Sequence, residues 1–282
     1  MSAREIEELD GLLGARAGNE PWHEWAKQHF SDVVWTPFAE RHVRLGAWFD
    51  GLQPGMRPMP RVESWGRGGA KSTVAELGVT RVGQALSRRL ALYVSATKDQ
   101  AVRHVQAIAA NFERLGVERL LNVYGHSKGW RSAEIRTAAG FNVVAVGLDV
   151  AVRGIKLDQF RPGLIVFDDI DSLTDSDLTI RKKLEAISAS ILPAGSTDCA
   201  VLIVQNLIHD RGLVYQLAKS FHNPDDEFLL DREVFLEQAV LGLETGRDLH
   251  TGLIADAGAN ELGLRAIAHV AEHDLHVLGL AD

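Results

Sequence analysis

The fold of this chain follows from the segment Ser64-Trp65-Gly66-Arg67-Gly68-Gly69-Ala70-Lys71-Ser72-Thr73. Glycines let backbone N–H groups close around phosphates, while the lysine suits the β- and γ-phosphates of a nucleotide and the adjacent hydroxyl suits Mg²⁺. Trp65 and Ala70 stand where the strict pattern G-x-x-x-x-G-K-[ST] has glycine. The segment therefore predicts a variant phosphate-binding loop, with a Gly-rich surface turn as the alternative.

The residues on either side of this loop strengthen the prediction. A short β-like run, Arg61–Ser64, precedes it, and a helical pattern continues from Lys71 to about Arg88. In a strand–turn–helix unit, the backbone N–H groups and the dipole at the helix N-terminus both attract an anion. We therefore expect an anion site at the start of this helix.

A second motif is a short apolar run that ends in two acids. Arg161-Pro162-Gly163 leads into Leu164-Ile165-Val166-Phe167, which Asp168 and Asp169 follow. The pattern predicts a buried parallel strand whose carboxylates lie at its C-terminal edge, where open α/β sheets bind ligands. In a P-loop NTPase the first acid holds Mg²⁺ and the second polarises the attacking water. Alone, the motif also fits a core strand ending in solvated acids, but after a phosphate loop it favours an NTPase.

The overall composition is that of a folded domain. The chain has 282 residues, of which 46% are apolar and 24% charged, enough for one large core and a small appended subdomain. No apolar run approaches the roughly 18 residues of a membrane span, and the N-terminus lacks the pattern of a signal peptide. The single cysteine, Cys199, lies in an apolar run and is expected to be a buried thiol in a reducing compartment.

The net charge of −8 argues against a general DNA-coating protein, because nonspecific DNA affinity comes from neutralising phosphates. Local basic patches are still compatible with DNA contact. The candidates are Lys128 and Arg131, which flank Trp130, and the cluster Arg181-Lys182-Lys183. A solvated helix or loop face is the alternative for each of them.

The periodicity of the chain predicts alternating strands and helices. Strands are expected at 61–65, 91–95, 143–147, 163–168 and 199–205, and helical structure at 1–35, 71–88, 98–115, 176–190 and 212–221. Trp22 and Trp25 are expected to pack onto the core, and Glu134–Gly147 to form a hairpin. The alternation implies a parallel sheet with right-handed crossovers. Near the C-terminus, His269–His273 matches a zinc-peptidase pattern, but an amphipathic helix is the preferred interpretation.

Four blocks of the sequence together resemble the ATPase domain of the large terminase subunit of tailed bacteriophages. The blocks are Thr36–His42, Arg67–Thr73, Leu92–Ala101 and Val146–Gly154, the last followed by Arg161-Pro162 and the acidic strand. The resemblance covers the chain from about Thr36 to Lys219. Two positions depart from the family pattern. Asp169 stands where these motors often carry Glu, and Gln205-Asn206 stands where their coupling motif usually has Gly-Thr.

The resemblance implies an α/β fold, namely a P-loop NTPase of the ASCE (RecA-like) type, with a mostly parallel central sheet flanked by helices. It divides the chain into three parts. Residues 1–60 are expected to form an N-terminal helical segment packed on the core, residues 61–225 the P-loop ATPase core, and residues 226–282 a C-terminal extension with no room for a nuclease domain.

The implied activity is ATP hydrolysis, with ATP and Mg²⁺ as cofactors, that drives double-stranded DNA into a procapsid in the host cytoplasm. The implied partners are double-stranded DNA, the portal protein and the small terminase subunit. The family resemblance also implies a homo-oligomeric ring on the portal, a monomer when free, and no membrane association. Two alternatives remain open: another P-loop DNA-dependent ATPase of the helicase or repair type, or a nucleotide-binding assembly protein with weak hydrolysis.

The motifs and the resemblance together assign roles to individual residues. Lys71 is expected to bind the β/γ-phosphates, Ser72 and Asp168 to hold Mg²⁺, and Asp169 to orient the water. The shorter side chain of Asp169 implies slow hydrolysis, or help from Asp171. The full ATP-binding set is Gly66, Arg67, Gly68, Gly69, Ala70, Lys71, Ser72 and Thr73.

Three further side chains are expected to respond to the γ-phosphate. Arg67 is expected to reach the γ-phosphate of its own site. Arg153 is predicted either to enter a neighbouring subunit's site as a finger or to make a structural salt bridge. Asn206 is the candidate coupling residue, because its amide can sense the γ-phosphate.

Overall fold

The computed structural model describes residues 20–149, 159–208, 211–219 and 233–237 as alternating helices and strands. The helices are α1 (Trp22–His29), α2 (Glu40–Asp50), α3 (Lys71–Ala85), α4 (Lys98–Arg114), α5 (Asp177–Ala186), α6 (Leu192–Ala194) and α7 (Leu213–Lys219), with a π-helical turn at Ile187–Ile191 between α5 and α6. The strands are β1 (Arg61–Trp65), β2 (Leu90–Ser95), β3 (Glu134–Arg136), β4 (Asn142–Gly147), β5 (Leu164–Asp168), β6 (Ala200–Gln205) and β7 (Glu233–Glu237).

Within the described ranges the strands form one seven-stranded sheet in the order β3-β4-β2-β5-β6-β1-β7. Neighbouring strands are parallel except β3 and β4, which are antiparallel and form the predicted hairpin. The four central strands are buried at every position. The continuous apolar runs of β2, β5 and β6 predict this for strands covered on both faces, whereas β1 also buries the polar side chains of Arg61, Glu63 and Ser64. The chain is thus a mixed α/β protein with a mostly parallel central sheet.

Helices cover both faces of this sheet. On one face, α1 to α4 contribute Trp25, Phe49, Val79 and Phe112 to a core that includes Trp65 of β1. Other buried residues, among them Ile180, Ile187 and Leu217, pack against the opposite face. Burial of one such large apolar side chain stabilises the fold by roughly 1.5–3 kcal/mol. Both helical layers therefore stabilise the sheet whose carboxyl edge carries the two acids.

The predicted strands all form, but α3 is shorter than the pattern 71–88 predicts. It ends at Ala85 because Leu86 adopts a left-handed conformation with φ 55°. The turn allows Arg88 to point back into the protein, where its guanidinium donates to the carbonyls of Gly163, Gln53 and Met56 at 2.7–2.9 Å. The segment after α3 is therefore fixed by a buried arginine whose N–H groups donate to backbone carbonyls.

Three features of the fold were not predicted from the sequence. Helix α2 places Gly46 against Trp22, since a Cβ on Gly46 would lie 2.2 Å from the Trp22 ring. Strand β7 lies in the predicted C-terminal extension, yet it pairs with β1 and belongs to the central sheet. The range 1–35 is helical only over Trp22–His29 among its described residues, with residues 1–19 outside them. The helix ends at Phe30, whose φ of −133° is not helical.

Candidate nucleotide-binding site

The loop between β1 and α3 turns through two left-handed residues. Gly68 has φ 77° and Ala70 has φ 59° and ψ 24°, and the Gly69 N–H donates to the Gly66 carbonyl at 3.2 Å. A non-glycine residue in this conformation costs roughly 1–2 kcal/mol. The structure thereby explains why the strict pattern has glycine at the position of Ala70, and it shows a strained backbone at the start of α3.

The first turn of α3 offers free N–H groups to an anion. Among the described residues no side chain caps this helix start, where Ala70 is the N-cap residue. The leading N–H groups of a helix have no intrahelical partner and carry the positive end of the helix dipole. Lys71, Ser72 and Thr73 occupy this turn and line the adjoining cleft. The arrangement can therefore bind an anionic group.

Lys71 lies between the loop and the acids of β5. Only 7% of Lys71 is exposed, and its ammonium donates to the carbonyls of Trp65 at 3.1 Å and Gly66 at 3.3 Å. Burial lowers the pKa of Lys71, while the charges of Asp169 and Asp168 oppose that shift. The predicted juxtaposition of this lysine with the acidic strand is thus present in the fold.

Asp168 is fully buried at the end of β5. Its Oδ2 accepts a hydrogen bond from the Tyr93 hydroxyl at 2.7 Å, whereas Oδ1 has no hydrogen bond of normal geometry within the described residues. Burial raises the pKa of Asp168 from 3.8 to about 6, although the charge of His104, the Tyr93 hydroxyl and the Ser72 hydroxyl oppose the rise. A buried carboxylate oxygen without a partner, near a serine at a helix start, fits one side of a Mg²⁺ site.

Few protein ligands are expected for such an ion. Mg²⁺ in nucleotide sites keeps several waters and binds one or two protein groups plus phosphate oxygens. Among the described residues there is no group of three or more His, Cys, Asp or Glu side chains that could hold a metal ion by itself. The pair Ser72 and Asp168 is therefore suited to Mg²⁺ bound together with a phosphate ligand.

A polar chain behind Asp168 was not predicted from the sequence. The ring of His104 on α4 stacks on Tyr93, with centroids 4.7 Å apart. Its Nδ1 lies 2.7 Å from Glu76 Oε1 on α3, and its Nε2 lies 3.7 Å from Asp168 Oδ2. Burial lowers the pKa of His104, but the hydrogen bond to Glu76 and the nearby acids outweigh it, so the net pKa is raised. No local sequence pattern predicts this set of contacts, because Glu76, Tyr93, His104 and Asp168 lie on separate helices and strands.

Asp169 differs from Asp168 in exposure and backbone conformation. It is exposed, adopts a left-handed φ of 48°, and donates its N–H to the Val204 carbonyl at 3.3 Å. This turn carries its side chain into the same cleft as Lys71 and Ser72. The two adjacent acids therefore occupy distinct environments, one enclosed and one open to a ligand.

Asp171 caps a helix. Its two carboxylate oxygens accept the N–H groups of Leu213 and Val214 at 2.9 and 3.0 Å, at the start of α7. The side chain of Gln205 holds the backbone of Asp171 through hydrogen bonds of 3.1 and 3.3 Å. Because both oxygens are engaged, Asp171 is poorly placed to assist Asp169, and Gln205 has a structural role beside Asn206.

These elements surround a cleft of about 700 Å³ at the carboxyl edge of the sheet. Of the predicted site residues, it is lined by Arg67, Gly68, Ala70, Lys71, Ser72, Thr73, Asp169 and Asn206. Thr97 and Gln100, at the start of α4, also line it and were not predicted as site residues. Arg153 and His269–His273 lie outside the described residues, so the finger and the zinc pattern stay predictions.

A larger cleft of about 1130 Å³ lies at the opposite edge of the sheet, where Arg88, Gly163 and Asp198 precede strands. Size alone favours it as a ligand site. Its buried Arg88, however, is occupied by backbone carbonyls, and Arg81 is bonded to Asp50 at 3.1 Å. The smaller cleft combines an uncapped helix start with a lysine and acids, so its chemistry makes it the candidate site.

One of the predicted DNA-contacting residues is unavailable for that role. Lys183 is buried and donates to the Ile170 carbonyl at 2.7 Å and to Asp175 at 2.5 Å. Its two neighbours in the basic cluster are exposed, as are Lys128 and Arg131.

Cys199 is buried as predicted, and burial raises the pKa of its thiol to about 12.

Comparisons with known proteins give limited matches. No protein-family model and no curated protein matches the chain. An arginine-to-alanine mutant of the large terminase ATPase domain of Thermus phage P74-26 is 14% identical over 66% of this chain and 72% of that chain, with a TM-score of 0.45. Another structure of that ATPase domain is 15% identical over 63% and 68%, with a TM-score of 0.38. These values are too low to assign a family or a function.

No described helix is both long enough and apolar enough to cross a membrane.

Proposed function

We propose that this chain is an ATP-hydrolysing motor domain of a phage terminase that drives translocation of double-stranded DNA. One observation carries the nucleotide part of the proposal. Lys71 and Ser72 stand at the uncapped start of α3, and Asp169, which directly follows the acidic end of β5, lines the same cleft. A phosphate loop and an acidic strand at one sheet edge are the parts that nucleoside triphosphate hydrolysis requires.

The strand order supports an ATPase of the ASCE type within this proposal. Strand β6 lies between β1, which leads into the loop, and β5, which carries the acids. An additional strand at this position is one of the two features for which the ASCE class is named, and the other, a catalytic glutamate, is Asp169 in this chain. It also places the end of β6, with Asn206, between the loop and the acids.

The site residues divide the work of hydrolysis. Lys71 and the N–H groups of α3 bind the phosphates, while Ser72 and Asp168 hold Mg²⁺. When bound, Mg²⁺ supplies positive charge to the phosphate oxygens. Asp169 accepts a hydrogen bond from the attacking water and orients it, and Arg67 neutralises charge on the γ-phosphate. Rate acceleration then comes from positioning and electrostatic stabilisation.

The narrower assignment to DNA packaging rests on the sequence blocks. Block Arg67–Thr73 forms the loop and block Leu92–Ala101 forms the end of β2 and the start of α4. Residues of both segments line the cleft. Double-stranded DNA, the portal protein and the small terminase subunit are the proposed partners. A ring on the portal, with Arg153 of one subunit reaching the next, belongs to the same proposal.

A nucleotide-binding assembly protein with weak hydrolysis is the second candidate. It is favoured by Asp169, whose carboxylate is one methylene shorter than the usual glutamate and whose backbone is held in a left-handed turn. The shorter side chain reduces the reach of the carboxylate toward a water molecule, and the turn fixes the position from which it reaches into the cleft. In this case the chain binds ATP tightly but turns it over slowly.

The decisive experiment measures nucleotide binding and ATP turnover with and without double-stranded DNA and procapsids. Turnover that rises with DNA, and further with procapsids, supports the packaging motor. DNA-stimulated turnover indifferent to procapsids indicates another DNA-dependent ATPase, and binding without turnover indicates the assembly protein. Asp169→Asn should keep binding and lose turnover, with the exposed Asp99→Asn as a matched control. Unchanged turnover in Asp169→Asn would contradict the role of Asp169.

A further inference from the structure

We infer that His42 is a positioning residue for phosphate binding, because it sets the direction of one peptide group in the loop. His42 lies on α2, and its Nε2 is 3.0 Å from the carbonyl oxygen of Gly69. This contact joins the helix before β1 to the turn after it. The inference rests on the proposed function, since it concerns the phosphate site of the same cleft.

The orientation of the His42 ring is determined by its other contacts. Nδ1 accepts the N–H of Ala39 at 3.0 Å, and the ring meets Trp65 edge to face with centroids 5.3 Å apart. Because the Ala39 N–H can only donate, Nδ1 is the acceptor nitrogen of the ring. Nε2 therefore carries the hydrogen that the Gly69 carbonyl accepts. The ring is a fixed donor aimed at the loop.

The contact between His42 and the Gly69 carbonyl also determines the direction of the Ala70 N–H. Gly69 C=O and Ala70 N–H belong to one planar trans peptide, so they point in opposite directions. With the carbonyl held by His42, the Ala70 N–H points away from α2. Ala70 lines the cleft on that side. In this orientation the Ala70 N–H, and not a carbonyl oxygen, is the group of this peptide that is offered to a phosphate in the cleft.

Without this contact the peptide has an alternative orientation. Gly69 tolerates many backbone conformations, and the neighbouring Ala70 is strained in its left-handed one. A rotation of the Gly69–Ala70 peptide relieves that strain and turns a carbonyl oxygen toward the phosphates. His42 therefore holds the loop in a state that is ready to bind an anion, and the ligand need not order it.

A matched set of substitutions tests the inference. His42→Phe keeps a ring against Trp65 but removes the donor, while His42→Gln places an amide N–H near the position of Nε2. His126→Phe makes the same chemical change in an exposed residue of the segment that leads from α4 to β3, and β3 is the strand at the end of the sheet order away from β1. Should His42→Phe unfold, His42→Asn takes its place, because its shorter amide reaches Ala39 but not Gly69.

The measurements are the dissociation constant of fluorescent mant-ADP and the melting temperature of each variant. We expect about tenfold weaker binding in His42→Phe, in line with the loss of an oriented hydrogen bond, and near wild-type binding in His42→Gln and His126→Phe. Wild-type affinity in folded His42→Phe or His42→Asn, while the wild type binds, would overturn this inference alone. A wild-type chain that binds no nucleotide would overturn the proposed function as well.

Discussion

The two ends of helix α3 share a left-handed backbone residue but differ in the hydrogen bonds made by the groups around it. Each end has a non-glycine residue in the left-handed conformation, Ala70 before the helix and Leu86 after it. After the helix, the buried Arg88 donates to three carbonyls, two in the connector between α2 and β1 and one just before β5. Before the helix, no side chain of the described residues caps the N–H groups, and the lysine donates to the carbonyls of Trp65 and Gly66.

This difference separates a structural end from the end that we propose to bind nucleotide. At the C-terminal end, strain in Leu86 is compensated by hydrogen bonds inside the protein. At the N-terminal end, strain in Ala70 coincides with unsatisfied donors, a buried lysine and the buried carboxylate of Asp168. Strain and unsatisfied groups persist in proteins mainly where a ligand interaction uses them. The substitutions below are ordered by expected effect.

The largest expected effect is on ligand binding at the start of α3. Lys71→Ala should weaken ATP binding by about a hundredfold or more, because charge-assisted hydrogen bonds to the phosphates are lost. The melting temperature should change little, since the buried ammonium contributes little net stability after desolvation. Titration with mant-ATP and thermal unfolding measure the two quantities. Lys128→Ala, at an exposed lysine, is the control and should leave both unchanged.

The reverse pattern is expected at the other end of the helix. Arg88→Met should lower the free energy of unfolding by about 3 kcal/mol, because several buried carbonyls lose a charged donor. Denaturant unfolding measures this loss, and mant-ATP affinity below the unfolding range should stay unchanged. Arg89→Met, at the next position, is the control. A stable Arg88→Met protein with impaired nucleotide binding would contradict the assignment of this end as structural.

The third prediction concerns the acid that faces α3. The pKa of Asp168 is raised from 3.8 to about 6 by burial, so the folded protein binds the proton more tightly than the unfolded chain. The resulting penalty to stability is fully present above the folded pKa and is relieved as the pH falls from about 6 to about 4. Asp168→Asn should therefore be more stable than the wild type by about 2–3 kcal/mol at pH 8.

The pH dependence makes this prediction specific. The advantage of Asp168→Asn should shrink on acidification through pH 6, because the wild-type carboxyl then becomes neutral too. Denaturant unfolding between pH 4 and pH 8 gives the comparison, and Asp175→Asn serves as a second carboxyl variant. A constant difference across this pH range would show that the penalty is not electrostatic. Mg²⁺-dependent nucleotide binding should be lost in Asp168→Asn at every pH.

The smallest expected effects come from the two strained residues themselves. Ala70→Gly should raise the free energy of unfolding by about 0.5–1 kcal/mol, because glycine adopts the left-handed conformation without a steric cost. Leu86→Gly should gain less, since the half-buried Leu86 side chain packs against the core and those contacts are lost. Denaturant unfolding of the two variants measures both changes in the free energy of unfolding. Equal gains would mean that packing at Leu86 contributes nothing.

Local patterns predicted much of this architecture. Apolar runs without alternation predicted β2, β5 and β6 within a residue of their ends, because a strand covered on both faces favours apolar side chains. Strand β1, which contains Arg61, Glu63 and Ser64, was predicted as a short β-like run before the glycines. Glycines before a lysine predicted the loop at 66–70, because only a flexible backbone closes around an anion. Two acids after an apolar run predicted carboxylates at the sheet edge. Each of these signals lies within a few consecutive residues.

Other parts of the site come from residues far apart in the sequence. Glu76, Tyr93, His104 and Asp168 meet only because α3, α4, β2 and β5 pack together. The roles of Asp171 as a helix cap and of His42 as a donor to the loop have the same origin. Sequence reasoning named Asp168 as a Mg²⁺ ligand and Asp171 as a helper of Asp169, but it predicted none of these contacts between elements.

By itself, then, the sequence determined which segments become the central strands, where the glycine-rich loop lies, and which two acids end the apolar run of β5. The tertiary structure alone decided the strand order, with β6 between β1 and β5, and it made Asp168 buried and Asp169 exposed. The physical reason is the range of the interactions. Backbone preference and hydrophobic patterning act along the chain, whereas burial, pKa shifts and hydrogen bonds between elements depend on how the sheet and helices are assembled.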